Sequence, residues 1–264
     1  MKTFAQYLQH PILKLVFAPL SYIIFGIGMG ISGSINFIQI LLLFSITFID
    51  HLISHFLFQK NDLKRTKTMS NSIFMFLEIA LLVLGFIFIL NHPWTLNILL
   101  ILSIMTTHVI YLPYNFSLSG LHFILLNFFR AFIWNIIAYY SLTHHVNTNF
   151  IKLLVPIVIF SIGLAILEFD TMKVMTFKKK FITKIPAHYL TITLGIIAII
   201  FGFTKSLPSG TFFIVEILFV ILSMLLLVPI FFNPNSNKQP QNKLNYLSSS
   251  LFIFNILYLF ANII

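Results

Sequence analysis

The sequence predicts an all-α fold, a polytopic bundle of transmembrane helices forming one integral membrane domain over residues 1–264, and three observations carry that reading. Hydrophobic residues fill 59% of the 264 positions and charged residues only 8%, too few to cover a water-soluble domain of this size. Mean hydropathy is +0.99. The apolar residues also fall into runs of roughly 20, the length that crosses a hydrocarbon core, separated by polar and Pro/Gly clusters.

Nine runs follow from those breaks, with eight and ten as the alternative counts. The first, about 13–32, ends at GISGSIN; the second, 35–58, runs into QKNDLKRTKT. The third, 71–91, stops at NHPWTLN, and the fourth, 94–113, stops at PYNFSLSG. The fifth, 120–142, starts after that serine-glycine pair and ends at HHVNTN. The sixth, 150–169, meets the lysine-rich stretch 171–186, and the seventh, 187–204, stops at TKSLPSG. The eighth, 209–232, stops at NPNSNKQPQNK, and the ninth is 245–264. Most connections are short, so consecutive helices should be antiparallel neighbours, and every loop is shorter than about 20 residues, so no separate soluble domain is expected.

Charge sets an expected orientation. Lys2, Lys14, Lys60, Lys64, Arg65, Lys67, Lys173, Lys178, Lys179, Lys180, Lys184, Lys238 and Lys243 all fall on one side of this layout, against Lys152 and Lys205 on the other. By the positive-inside rule the amino terminus should be cytoplasmic and the carboxyl terminus external, in a bacterial plasma membrane. The net charge of +10 then reflects topology and anionic headgroups, with no nucleic-acid partner required. The chain has no cysteine, which excludes disulfides, thiol nucleophiles and cysteine metal sites. MKTFAQYLQHPILK lacks the cleavage pattern of a signal peptide, so residue 1 is expected in the mature protein.

Ionisable groups inside a bilayer cost roughly 2.5–3.5 kcal/mol each on insertion scales and tend to face the protein interior or a wet cavity. The candidates are Asp50, Glu78, Arg130, Glu168, Asp170 and Glu216, with His51, His55, His108 and His122 as weaker cases. Arg130, in LLNFFRAFIW, calls for an acidic partner from helix 2, 3 or 6. It would serve either as a packing ion pair or as a contact for a substrate anion. His51 and His55 are spaced by one helical turn and could share a transition metal, but no third and fourth ligand cluster with them; lining a wet cavity is the competing role. Glu216 is expected at the interface.

The order of these features resembles the UbiA superfamily of intramembrane prenyltransferases. HPILKLVFAPLSYIIFGIGMG is similar to that family's opening helix. FIDHLISHFLFQKND, residues 48–62, falls where the family has Asn-x-x-Asn-Asp-x-x-x-Asp or a close variant. His51 and Ser54 take the asparagine positions, His55 the first aspartate, Phe58 or Gln59 the next, and Asp62 a further acidic position. PYNFSLSGLHF and IIAYY fall at the Tyr-containing loop and the exit of the fifth helix. LEFDTMKVMTFKKKFITK falls at the second motif, with Asp170 as its first aspartate and Val174 replacing its second.

The resemblance implies a nine-helix bundle in which the ends of helices 2 and 6 share a cytoplasm-facing cavity for an isoprenoid diphosphate or related lipid. It implies Mg²⁺ on the diphosphate, with Asp62 and Asp170 as metal ligands. Asp50, His51, Ser54, His55, Lys64, Arg65, Arg130, Glu168, Asp170 and Lys173 would bind substrate; no catalytic residue is assigned. Because imidazole replaces the oxygen ligands that magnesium prefers, lysines could instead hold phosphate without metal. Three readings stay open: a divergent prenyltransferase, a catalytically inactive lipid-binding paralogue, and a small transporter or transport-complex subunit. Partners are expected to be lipids.

Overall fold

Nine helices account for 92% of the residues described in the computed structural model, which are 11–31, 36–61, 70–112, 114, 116–177, 186–206, 213–232 and 240–263. They are α1 (Pro11–Gly30), α2 (Phe37–Asn61), α3 (Asn71–Leu90), α4 (Trp94–Tyr111), α5 (Gly120–Thr143), α6 (Thr148–Phe177), α7 (Ala187–Ser206), α8 (Phe213–Phe232) and α9 (Pro240–Ile263). Eight of them, α2 to α9, are long and apolar enough to cross a membrane, and the protein is an integral membrane protein. The nine helices match the preferred count of the sequence; the first, Pro11–Gly30, has 20 residues, and its described apolar stretch is Leu15–Gly30.

Helix is the only open structure that satisfies its own backbone in lipid, and the polar breaks supply the caps. Ser70 accepts from Ser72 N at 3.1 Å to start α3, and Ser119 accepts from His122 N at 3.2 Å to start α5. Asn36 and Asn147 cap α2 and α6 in the same way. His144 ends α5 in a left-handed conformation, φ 60°, with its N–H on Tyr140 O at 2.7 Å. The sixth helix passes its expected end at 169 and continues to Phe177, so LEFDTMKV is helical. Its polar residues interrupt the apolar run, but none breaks a helix.

Two apolar cores lie side by side. One gathers buried residues of α1 to α5 with Phe169 of α6; the other gathers α6 to α9 with Phe25 of α1 and Ile136 and Tyr139 of α5. Helices α1 and α5 therefore join the halves, and they approach closely: a Cβ on Gly26 would collide with the backbone carbonyl of Asn135. The same asparagine accepts from Gly26 N at 2.9 Å through its side chain. On its other side α1 is tied to α9 by Asn255 Nδ2, which donates to Ser21 O at 2.7 Å.

Candidate functional site

A cleft open at its mouth lies between α1, α2, α4, α5, α6 and α9. Its walls come from the carboxyl-terminal parts of α2, α4 and α6 and the amino-terminal parts of α1, α5 and α9. Of these helix ends, those of α1, α2, α6 and α9 adjoin the basic segments, while α4 and α5 are joined by LPYNFSLS, which has no Lys or Arg. The ends of α2 and α6 thus meet at one cavity. Hydrophobic lining comes from Ala18, Phe58, Leu126, Leu164, Phe169 and Leu251; polar lining comes from Tyr22, Tyr111, Asn127, Ser161 and Ser248.

Of the residues singled out in the sequence, His51, Ser54, His55, His122, Arg130 and Glu168 line this cleft. Asp50 does not. Adjacent residues on a helix point about 100° apart, so while His51 reaches Tyr22 of α1, Asp50 lies beside Thr107 of α4. Asp170 and Lys173 do not line the cleft either, and Lys243 of α9 is an electrostatic neighbour of Asp170. Asp62, Lys64 and Arg65 lie outside the described residues.

Arg130 stands at the centre. It sits in a six-residue π-helical segment, Phe128–Ile133, within α5, a widened turn of the kind often found at functional sites. Asparagine side chains bracket that segment. Asn127 Nδ2 donates to Phe123 O at 2.8 Å while its Oδ1 accepts from Ser161 of α6 at 3.1 Å, and Asn135 Nδ2 donates to Ala131 O at 3.0 Å. Both satisfy backbone carbonyls; Asn127 latches α5 to α6, and Asn135 latches it to α1.

The guanidinium of Arg130 donates from Nη2 to Ser54 Oγ at 3.2 Å and lies over the ring of Tyr22, 5.2 Å from its centroid. Tyr22 OH is in turn 3.4 Å from His51 Nδ1. The expected carboxylate partner is corrected: Arg130 takes a hydroxyl and an aromatic face, while Glu168 and Asp50 act on its charge at longer range. Glu78 pairs elsewhere, its oxygens 3.0 and 3.1 Å from His108 Nε2 of α4.

His122 is the residue the sequence reading undervalued. Leu118, at φ 57°, is held in the left-handed region, a conformation uncommon for a residue with a branched side chain. Its N–H donates to His122 Nδ1 at 3.0 Å. A backbone N–H can only donate, so Nδ1 accepts and the imidazole proton sits on Nε2. Tyr111 and Phe169 hold the ring edge-on. The cue in the sequence was the Ser119-Gly120 pair opening α5, which places His122 at the third helical position. The hydroxyls and amides of Tyr22, Asn127 and Ser161 had a weaker cue, polar groups scattered in apolar runs.

Chemically, the cleft offers one guanidinium with four of its five N–H donors unused toward other described side chains, several imidazoles, hydroxyls, and one carboxylate, Glu168. That combination suits an oxyanion. Of the two magnesium ligands expected from the resemblance, Asp62 lies outside the described residues and Asp170 does not line the cleft. Among the described residues no group of three or more His, Asp or Glu side chains is arranged for a metal ion, so His51 and His55 have no completed ligand set there.

A second polar cavity lies at the opposite end of the bundle, lined by Gln39, Asn91, His92, Ser141 and His144 among others. His92 Nδ1 is 2.8 Å from Phe88 O and its Nε2 is 2.6 Å from Gln39 Nε2. Glu216, expected at the interface, is buried in the first turn of α8. Comparison of the chain with protein-family models, curated proteins and solved structures gives no match.

Proposed function

We propose that the protein is a UbiA-like membrane protein that receives the phosphorylated end of an isoprenoid or related lipid in the cleft between α2 and α6, without a bound metal. The observation that carries this reading is Arg130. It is a largely enclosed cation that gives one hydrogen bond to Ser54 and has no carboxylate in direct contact, so its remaining donors are open to a ligand. A phosphate accepts such a fork in two parallel hydrogen bonds. His122 Nε2–H is a neutral donor on the same lining, and the apolar walls of α5, α6 and α9 suit the first carbons of a lipid chain. The lipid's own solubility requires that it arrive through the bilayer.

The test uses the protein in lipid nanodiscs with geranylgeranyl diphosphate and geranylgeraniol as probes. The diphosphate should bind, the alcohol should bind far more weakly, and excess EDTA should leave binding unchanged. A charged hydrogen bond is worth about 1.5–3 kcal/mol, so Arg130→Gln should weaken the diphosphate by roughly 10- to 150-fold. Equal binding of the alcohol, or an unchanged Arg130→Gln variant, would refute the reading. Magnesium-dependent release of pyrophosphate with a lipophilic acceptor would replace it with the prenyltransferase reading.

A further inference from the structure

The polar cavity at the end of the bundle away from the cleft is built around an imidazole with both ring nitrogens occupied. His92 lies in the turn 91–93 between α3 and α4, outside the helices themselves. Asn97 Nδ2 holds that turn by donating to His92 O and to Ile89 O, each at 3.0 Å. The Phe88 ring stacks on the imidazole with centroids 4.0 Å apart.

The two ring contacts assign the proton. Nδ1 is 2.8 Å from Phe88 O, and a carbonyl oxygen only accepts, so Nδ1 carries a hydrogen. In the neutral ring Nε2 is then the acceptor, and Gln39 of α2 meets it with its amide nitrogen at 2.6 Å. Gln39 must therefore face the neutral ring with N–H. Its Oε1, engaged by no other described residue, is left to the cavity that Gln39 lines.

A proton added to His92 makes both ring nitrogens donors. Two N–H groups cannot face each other at 2.6 Å, so the contact must break or the amide must turn over. Turning over is open to Gln39 because its oxygen holds no partner. The reversed amide offers Oε1 to a charged N–H, a bond roughly twice as strong as the neutral one. Phe88 O keeps Nδ1–H in both states, so the ring need not move. Among the described residues lining the cavity, His144 of α5 is the other titratable group. Gly30 of α1, Asn36 before α2 and Asn91 of the turn are neutral, and no Asp, Glu, Lys or Arg is present in that lining.

We infer that His92 and Gln39 form a proton-operated switch: protonation of the imidazole reverses the Gln39 amide, so the cavity meets a carbonyl oxygen when the ring is neutral and an amino group when it is charged. The link between α2 and the α3–α4 turn holds in both states, and only the chemistry of the lining changes. A neutral ring suits a cavity ligand that donates a hydrogen bond at Gln39; a charged ring suits one that accepts. The switch is independent of the anion-binding reading of the cleft.

Nuclear magnetic resonance of the full chain in lipid nanodiscs, with ¹⁵N in histidine and glutamine, tests it. Signals are assigned by their loss in His92→Asn and Gln39→Met. At neutral pH an N–N coupling across the hydrogen bond should join the Gln39 amide to His92 Nε2. On acidification that coupling should vanish and an imidazolium Nε2–H should appear, still in short contact with the Gln39 side chain. Loss of the contact together with the coupling means that the pair separates, which overturns the switch. Failure of His92 to titrate before the protein unfolds overturns it as well. Because the reversed amide supports the charged ring more strongly, Gln39→Met should lower the pH midpoint of His92 by roughly half to one pH unit. An amide that could not reverse would support only the neutral ring, so an unchanged or raised midpoint overturns the reversal. Gln39→Glu, whose carboxylate only accepts, should raise the midpoint; no rise would show that position 39 does not govern the ring and would overturn the pairing.

Discussion

Ser54 and Arg130 come from helices far apart in the chain, yet the 3.2 Å bond between them aims the guanidinium into the cleft. Ser54→Ala removes one neutral acceptor and should weaken binding of the diphosphate probe by roughly 2- to 10-fold in the same nanodisc titration. Arg130→Lys should recover only part of the affinity lost in Arg130→Gln, because an ammonium keeps the charge and loses the planar fork. At the opposite end, burial lowers the pKa of His92 below its ordinary value, outweighing its hydrogen bond to Phe88 O. The folded protein therefore favours the neutral ring. Stability from His92 is present above the ordinary histidine pKa and is lost as pH falls through the lowered one. Thermal unfolding followed by circular dichroism should shift down on mild acidification, and His92→Gln should reduce that shift. Individual ionisable residues were legible in the sequence as expensive groups in an apolar chain, but their partners were not. Asp50 and His51 are neighbours that point to different helices, and only packing assigns one to α4 and the other to α1.

At the scale of the element, the helices were readable because lipid leaves the backbone no other open solution and because Ser70, Asn36, Ser119 and Asn147 mark starts that the bilayer alone would not fix. Two features escaped. The π-helical segment at Phe128–Ile133 has no sequence code beyond the flanking Asn127 and Asn135, whose roles depend on Ser161 and Gly26 across the interface. The extension of α6 to Phe177 was hidden because hydropathy reports where lipid ends, whereas a helix can continue into polar surroundings. The contact of α1 with α5 gives the sharpest test. Gly26→Ala must push apart two backbones and should lower unfolding stability by about 1–3 kcal/mol, measured by denaturant titration in mixed micelles. The same change at Gly85, whose nearest prospective neighbour is an isoleucine side-chain end at 3.9 Å, should not.

For the whole molecule, the chain predicted a helical membrane bundle from composition, and the bundle brings the ends of α2 and α6 to one cleft. What composition could not reveal is the division into two cores, since every helix is apolar on most of its surface and periodicity no longer separates inward from outward faces. Orientation rests on the lysine asymmetry and is directly testable, because the chain has no cysteine of its own. Thr66→Cys and Thr183→Cys should react with an impermeant maleimide only from the cytoplasmic side, and Val146→Cys and Thr204→Cys only from the other. Labelling of all four from one side would contradict the layout.

The bond from Asn255 to the carbonyl of Ser21 links positions 234 residues apart. During synthesis the first helix must wait in the bilayer for the last before this contact can form. A ribosome halted after α8 would release a protein whose opening helix lacks one of its two flanking supports. Such a product should be a preferred target for membrane proteases, which makes survival of the full-length chain a readout of its completed assembly.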